Sequence, residues 1–267
     1  MDLQSKSRRI RYLTVDCIGH LGVGHIGGAL SICDLLAVLY YDKMNIDPKN
    51  PQMPGRDRLI CSKGHAGPAV YAVLADKGYF PIEMLHTLNH MDTKLPSHCD
   101  MNKTPGIDMT TGSLGQGFSC AMGVAKGAKL RGDGAYVYTI IGDGESQEGQ
   151  IWEAAMFASH QKLDNIIAFT DMNGAQIDGT VEEVNSLSDI EGKWTSFGWD
   201  TQRIDGHNTD QIAQAIDNAK ANPGKPHMII MDTEKGKGVS FVQAAYPNNH
   251  NMNLTKEQTA IALSELA

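Results

Sequence analysis

An aspartate held between two glycines, Gly142-Asp143-Gly144, follows directly on the apolar run Tyr136–Ile141. A carboxylate at the end of a strand suits a hard divalent cation that also touches a phosphate. The flanking glycines let the backbone approach the anion, and the N-terminus of a following helix attracts it. A second apolar run, Ile166–Thr170, ends at Asp171-Met172-Asn173-Gly174-Ala175. Neighbouring parallel strands would set Asn173 beside Asp143. One carboxylate, one amide oxygen and one backbone carbonyl then make an incomplete oxygen shell, which magnesium completes with diphosphate oxygens and water; calcium or manganese would serve as alternatives. Taken alone, Gly-Asp-Gly reads equally well as a tight turn. It is not the G-x-G-x-x-G of a dinucleotide loop, and no G-x-x-x-x-G-K-[ST] loop occurs in the chain.

The elements that must position these residues follow from the apolar patterning. Tyr136–Ile141, Ile166–Thr170 and Met228–Met231 read as buried parallel strands, with LICS (residues 59–62) a further short apolar run. Helical patterns separate them: QIWEAAMFASHQ, TDQIAQAIDNAKA and the Gly- and Ala-rich SCAMGVAKGAKL. Two more helices, RRIRYLTVDCI and LSICDLLAVLYY, flank the glycine-rich segment Gly22–Gly28 near the start. Residues 45–58 form a proline-rich connection, and residues 91–113 a long aperiodic loop of the kind that usually carries function. Strand and helix in alternation predict a doubly wound α/β fold, mainly parallel, with ligands at the carboxyl ends of the strands. A length of 267 residues makes one large domain the expectation.

Composition narrows the function classes. A formal net charge of -8 with scattered basic residues argues against a nucleic-acid partner. No apolar stretch is long enough for a membrane helix, and the N-terminus lacks a signal core, so a cytoplasmic location is expected. The five cysteines, Cys17, Cys33, Cys61, Cys99 and Cys120, mostly sit in apolar runs and read as reduced structural thiols.

Gly-Asp-Gly followed after 28 residues by Asn173 resembles the signature of thiamine diphosphate enzymes. Six segments, RDRLICSKGHAGPA, LPSHCD, MTTGSLGQG, GDGESQEGQIWEA, NGAQIDG and EKGKGVSF, resemble in the same order the N-terminal third to half of transketolase. The resemblance spans essentially the whole chain, and it implies roles. Asp143, Asn173 and the carbonyl of Ala175 would hold the metal. Gly144 and His65 would contact the diphosphate; Gly112, Ser113 and Leu114 would contact the cofactor, with Leu114 and Ile177 against its rings. His25, His98 and His250 match histidines lining the substrate channel, a setting where imidazole can exchange protons with sugar hydroxyls near neutral pH. Glu148 and Glu153 match acids that connect paired active sites across a dimer, although both would otherwise read as solvated acids of a first helical turn. His20, His86, His90, His160, His207 and His227 are left as surface or capping residues; His86 and His90 lie four apart, yet no third zinc ligand is evident.

The chain also departs from that family. Val23-Gly24-His25-Ile26-Gly27 stands where many single-chain transketolases read SGHPG, and Asn249-His250-Asn251 where the last motif often reads WHG. GVGHIGGALS with NNHNM resembles the shorter two-gene transketolases. Set against that family, a pyrimidine-binding domain, with the glutamate that activates the cofactor, and a third C-terminal domain are expected to lie on another chain. The expectation is therefore an obligate complex with a second subunit, two copies of each, acting on sugar phosphates. The 13 methionines fit a large interface. Two other enzymatic readings stay open, a 1-deoxyxylulose-phosphate synthase-like fragment and a 2-oxo-acid dehydrogenase α-subunit, as does a non-catalytic cofactor-binding paralogue.

Overall fold

A computed structural model of the chain describes residues 2–267. Its centre is a sheet of five parallel strands: β1 (Arg58–Cys61), β2 (Val137–Gly142), β3 (Ile166–Met172), β4 (Asp200–Asp205) and β5 (His227–Asp232). They lie in the order β1-β2-β3-β5-β4. The helices around this sheet include α1 (Leu3–Leu21), α2 (Cys33–Val38), α3 (Gly67–Lys77), α4 (Gln116–Arg131), α5 (Gly149–His160), α6 (Thr209–Ala221) and α7 (Lys256–Leu266), the last of which packs against α1.

Alternation along the central strands feeds two apolar layers. Tyr138, Ile140, Phe169 and Met231 face a core shared with Ile10, Leu36, Tyr71 and Ile216 of α1, α2, α3 and α6. Val137, Ile141, Ala168 and Ile230 face a second core with Phe118 of α4, Ala155 of α5, Trp194 and Trp199. Burying one large apolar side chain of this kind contributes about 1.5–3 kcal/mol, so the three inner strands are pinned from both sides. Among the described residues no helix is long and apolar enough to cross a membrane.

One sequence expectation changes, and one strand is added. LSICDLLAVLYY is not one helix: Gly27–Leu30 forms a single turn, Ser31 and Ile32 interrupt it, and α2 runs on into a wider π-type turn at Leu39–Lys43. The break turns the Ser31 hydroxyl inward, to Asp171 Oδ2 at 2.8 Å. The strand β4 (DTQRID) went unread because it is a polar edge strand, with no fully buried residue to mark a period. The remaining expectations of a mainly parallel, doubly wound sheet flanked by helices match the observed architecture.

Candidate active site

Four loops meet at the carboxyl ends of β1, β2, β3 and β5. That edge is where an open α/β sheet presents ligand-binding residues, because the loops diverge there around helix N-termini. Gly142 at the end of β2 pairs in register with Asp171 of β3, so Asp143 and Asn173 leave the sheet side by side. The Asp143 carboxylate accepts the backbone N–H of Gly144 at 2.7 Å and of Gly174 at 2.6 Å. Burial, and then the nearby Asp171 carboxylate, raise its pKa to about 6. Asn173 gives its Nδ2 to Asp171 at 2.7 Å and so turns Oδ1 the other way. The Ala175 carbonyl accepts Lys235 Nζ at 2.6 Å.

Beside these oxygens stand two buried ammonium groups. Lys63, just past β1, bridges Asp171 Oδ2 at 2.6 Å and the Gly28 carbonyl at 2.7 Å. Lys235 follows β5, and burial is the main cause that brings its pKa down to about 8. The wall opposite is glycine: a Cβ on Gly144 would sit 2.9 Å from Gln176 Cβ, so this stretch of backbone admits no side chain. Together these groups line a cleft of about 290 Å³ that also contains Gly112, Leu114, Glu148 and Ile177.

Four histidines from distant parts of the sequence close one side of the cleft. The His25 ring centroid lies 5.4 Å from His65, 5.5 Å from His98 and 5.3 Å from His250, and His65 lies 4.8 Å from His250. A two-residue ladder fixes the His25–His250 pair, because Val23 and Gly24 pair antiparallel with Asn253 and Met252. Gly27 allows the close approach: a Cβ there would fall 2.2 Å from the Asn249 carbonyl oxygen. All four imidazoles have lowered pKa values, with burial the leading cause in each; for His65 the Lys63 ammonium is the next, and His250 falls to about 3. They are therefore neutral near pH 7, and the burial that keeps them so also weakens them as bases.

The donor types fit a metal–diphosphate group. Hard oxygens gather on one wall, as magnesium or calcium requires, and two ammonium groups face the space where an anion would lie. Residues 4–266 match the family described as "Transketolase, thiamine diphosphate binding domain". The chain belongs to the transketolase family. It is 59% identical over 266 residues, covering 100% of this chain and 96% of the relative, to the 6-deoxy-6-sulfo-D-fructose transketolase subunit of Clostridium sp. (strain MSTE9). It is 39% identical over 267 residues, covering 100% of this chain and 94% of the relative, to an apulose-4-phosphate transketolase subunit of Phocaeicola vulgatus. The Campylobacter jejuni transketolase structure superposes with a TM-score of 0.92 at 32% identity, covering 100% of this chain and 43% of that one. The chain thus corresponds in length to the subunits of split transketolases, and spans less than half of the single-chain structure. It is a thiamine diphosphate-binding, transketolase-type transferase subunit that works with a partner subunit.

Within this transketolase domain, the residues named from sequence converge unevenly. His25, His65, His98, His250, Gly112, Leu114, Asp143, Gly144, Asn173, Ala175, Ile177 and Glu148 all line the cleft. Ser113 does not; it is exposed, and its carbonyl accepts the Gln116 N–H at 3.2 Å. Glu148 sits exposed at the rim, and Glu153 is exposed on α5, the helix that also carries exposed Met156 and Phe157. Sequence reading passed over Lys63, Lys235, Glu145 and Asp171, although three of them stand inside quoted motifs; a charge in a Gly-rich or apolar context was the available signal.

The remaining histidines divide. His227 is fully buried at the start of β5, not at the surface, with Nδ1 3.2 Å from Asp200. His207 is half-buried and joins Asp34 (2.8 Å) to the Glu234 N–H (2.8 Å). His86 pairs with Asp16 of α1 at 2.8 Å rather than with His90, and stacks on His20 at 3.6 Å and 6°. Asp16, His20 and His86 thereby bring three polar atoms within 4.8 Å of one another. Face-to-face rings, however, aim their nitrogen lone pairs along parallel planes rather than at one common point. All five cysteines are free, four of them buried.

Proposed function

We propose that this chain is the cofactor-anchoring half of a two-chain transketolase whose donor is a sulfonated ketose, 6-deoxy-6-sulfofructose. The observation that carries the reading is the four-histidine ring set beside the Asp143, Asn173 and Ala175 oxygens. The donor is taken from the Clostridium relative, which at 59% identity stands well apart from the apulose-4-phosphate relative at 39%. In this reading Asp143, Asn173 and the Ala175 carbonyl hold magnesium, with calcium or manganese as substitutes. Lys63, Lys235 and His65 hold the diphosphate, Gly144 lets the backbone come close to it, and Leu114 and Ile177 pack against the cofactor's rings. When bound, thiamine diphosphate supplies the carbon nucleophile that splits the ketose C2–C3 bond and carries the two-carbon unit.

This chain's own contribution is proton management. Neutral His25 and His98 accept a proton from the sugar hydroxyl at an imidazole nitrogen and return it to the acceptor's carbonyl oxygen, while His250, whose pKa of about 3 makes it a weak base, holds the sugar by hydrogen bonding. The partner subunit supplies the pyrimidine-binding domain and the glutamate that activates the cofactor. Two copies of each chain meet around Glu148, Glu153, Met156, Phe157 and the 71%-exposed Ile177. Large apolar side chains left open beside a catalytic cleft support an interface there. We place the complex in the cytoplasm, where reduced thiols persist.

The test is ketol transfer by the co-purified pair, with thiamine diphosphate and magnesium, from a donor panel of 6-deoxy-6-sulfofructose, fructose 6-phosphate, xylulose 5-phosphate and apulose 4-phosphate. The highest kcat/KM is expected on the sulfonated donor, and none from either chain alone. Preference for a phosphorylated donor would overturn the donor assignment, and full activity of this chain alone would overturn the division of the site.

A further inference from the structure

Asp171 is among the most heavily bonded side chains in the molecule's interior and has no place in the chemistry described so far. It is fully buried at the end of β3. Its Oδ2 accepts Ser31 Oγ at 2.8 Å, Lys63 Nζ at 2.6 Å and Asn173 Nδ2 at 2.7 Å; its Oδ1 accepts Thr233 Oγ1 at 2.5 Å. Its backbone carbonyl accepts the Asp143 N–H at 3.2 Å. One residue therefore touches both residues whose side chains reach the oxygen shell, the ammonium beside them, and the loops after β1 and β5.

An amide side chain offers an oxygen on one side and an NH2 on the other, and only the oxygen can bind a cation. A carboxylate accepts and never donates, so Asp171 must take the NH2 end of Asn173. The Oδ1 end is then turned into the cleft, where it also accepts the Ala175 N–H at 3.2 Å. We propose that Asp171 is a positioning residue for the cation: it selects the amide orientation of Asn173 and holds Lys63 in place. This rests on the reading that Asn173 is a cation ligand. Partners that orient metal ligands typically change metal affinity about ten- to a hundredfold when removed.

Charge relocation tests this in the two-chain complex, with Mn2+ affinity read by electron paramagnetic resonance and folding by thermal melting. At an ordinary cation site Asn→Asp adds charge and tightens binding. Here Asn173→Asp places a second carboxylate against Asp171, so Mn2+ affinity is expected to drop by about tenfold or more. The double variant Asn173→Asp with Asp171→Asn removes the carboxylate pair but gives up the ionic hold on Lys63, which shares Oδ2 with Asn173, so Mn2+ affinity is expected to recover in part over Asn173→Asp without reaching wild type. Asp171→Asn alone, with either amide free to turn, is expected to bind Mn2+ about tenfold or more weakly. If that single variant does not fold, the Asn173→Asp and double variants still decide. A tightening in Asn173→Asp, or no recovery in the folded double variant, overturns the proposal. Asn173→Ala with unchanged Mn2+ affinity would instead remove the ligand reading beneath it.

Discussion

Glu145 allows a magnitude to be worked from geometry. It is 3% exposed, and each oxygen is committed: Oε1 accepts Ser62 Oγ at 2.5 Å and the Gly115 N–H at 2.9 Å, while Oε2 accepts the Gly142 N–H at 3.0 Å. Through these bonds one carboxylate ties the Gly112–Leu114 loop to the end of β2. Glu145→Gln preserves size but turns one acceptor into a donor, and a Gln NH2 would then face the Gly142 N–H. A buried N–H left unmatched costs about 1–3 kcal/mol, and each of the two surviving bonds loses its ionic character at about 1 kcal/mol. Removing a buried charge returns part of that, of the order of 1–2 kcal/mol. The net expectation is about 1–4 kcal/mol, and for a chain of this size the middle of that range lowers the melting temperature by about 5–10 °C. Urea unfolding followed by circular dichroism measures it, and Glu145→Ala, which strands three donors, should lose more. An unfolding midpoint for Glu145→Gln indistinguishable from wild type would show that the ionic acceptor is not what holds the loop.

Two other perturbations address the histidines and the cleft cation. The four cleft imidazoles have folded pKa values below those of the unfolded chain, so the unfolded state binds more protons as pH drops below about 6.5. Stability is then fully present above that pH and is lost on acidification, by at most about 1.4 kcal/mol per pH unit for each histidine. Urea midpoints at pH 7.5, 6.5 and 5.5 should fall in that order, and His250→Asn should flatten the dependence; a flat wild-type profile would contradict it. Lys235→Met keeps the aliphatic stem but removes the charge beside Ala175 and Asp143. A charge-assisted bond at about 1.5–3 kcal/mol makes thiamine diphosphate binding about ten- to a hundredfold weaker, measurable by fluorescence titration of the complex. Unchanged affinity would take Lys235 out of the anion site.

Legibility from sequence followed the physics of each feature. Runs such as VYTII and IIAFT announced themselves because strands buried on both faces need continuous apolar residues, and their register then placed Asp143 beside Asn173. The DTQRID strand was silent because an edge strand is not required to be apolar. The turn at Ser31 was silent because its reason lies 140 residues away, in Asp171. Lys63 and Asp171, 108 residues apart, form a pair that no local pattern encodes. The histidines lay between these cases: each alone resembles a surface residue, and only motif order gathered four of them into one ring.

The cleft is built as two electrostatic regimes, and this division explains why its parts are spread as they are. At its floor, Asp143, Asp171, Lys63 and Lys235 are buried and mutually compensated, an arrangement in which losing any one charge leaves another stranded at low dielectric. Such a floor is intolerant of change and suited to a constant ligand, a cation with a diphosphate. Along its side the histidines are neutral, and His25, His65, His98 and His250 all stand on loops or short turns rather than on the central strands. Their scaffold can vary while the imidazoles stay. That is where this chain departs from the single-chain pattern, at Val23–Gly27 and Asn249–Asn251. There Gly27 packs against the Asn249 carbonyl, next to the places where the proline and the tryptophan would have stood. With the floor proposed for the cofactor and the histidine wall for the sugar, a difference in sugar is expected to fall on the scaffold of that wall rather than on the floor.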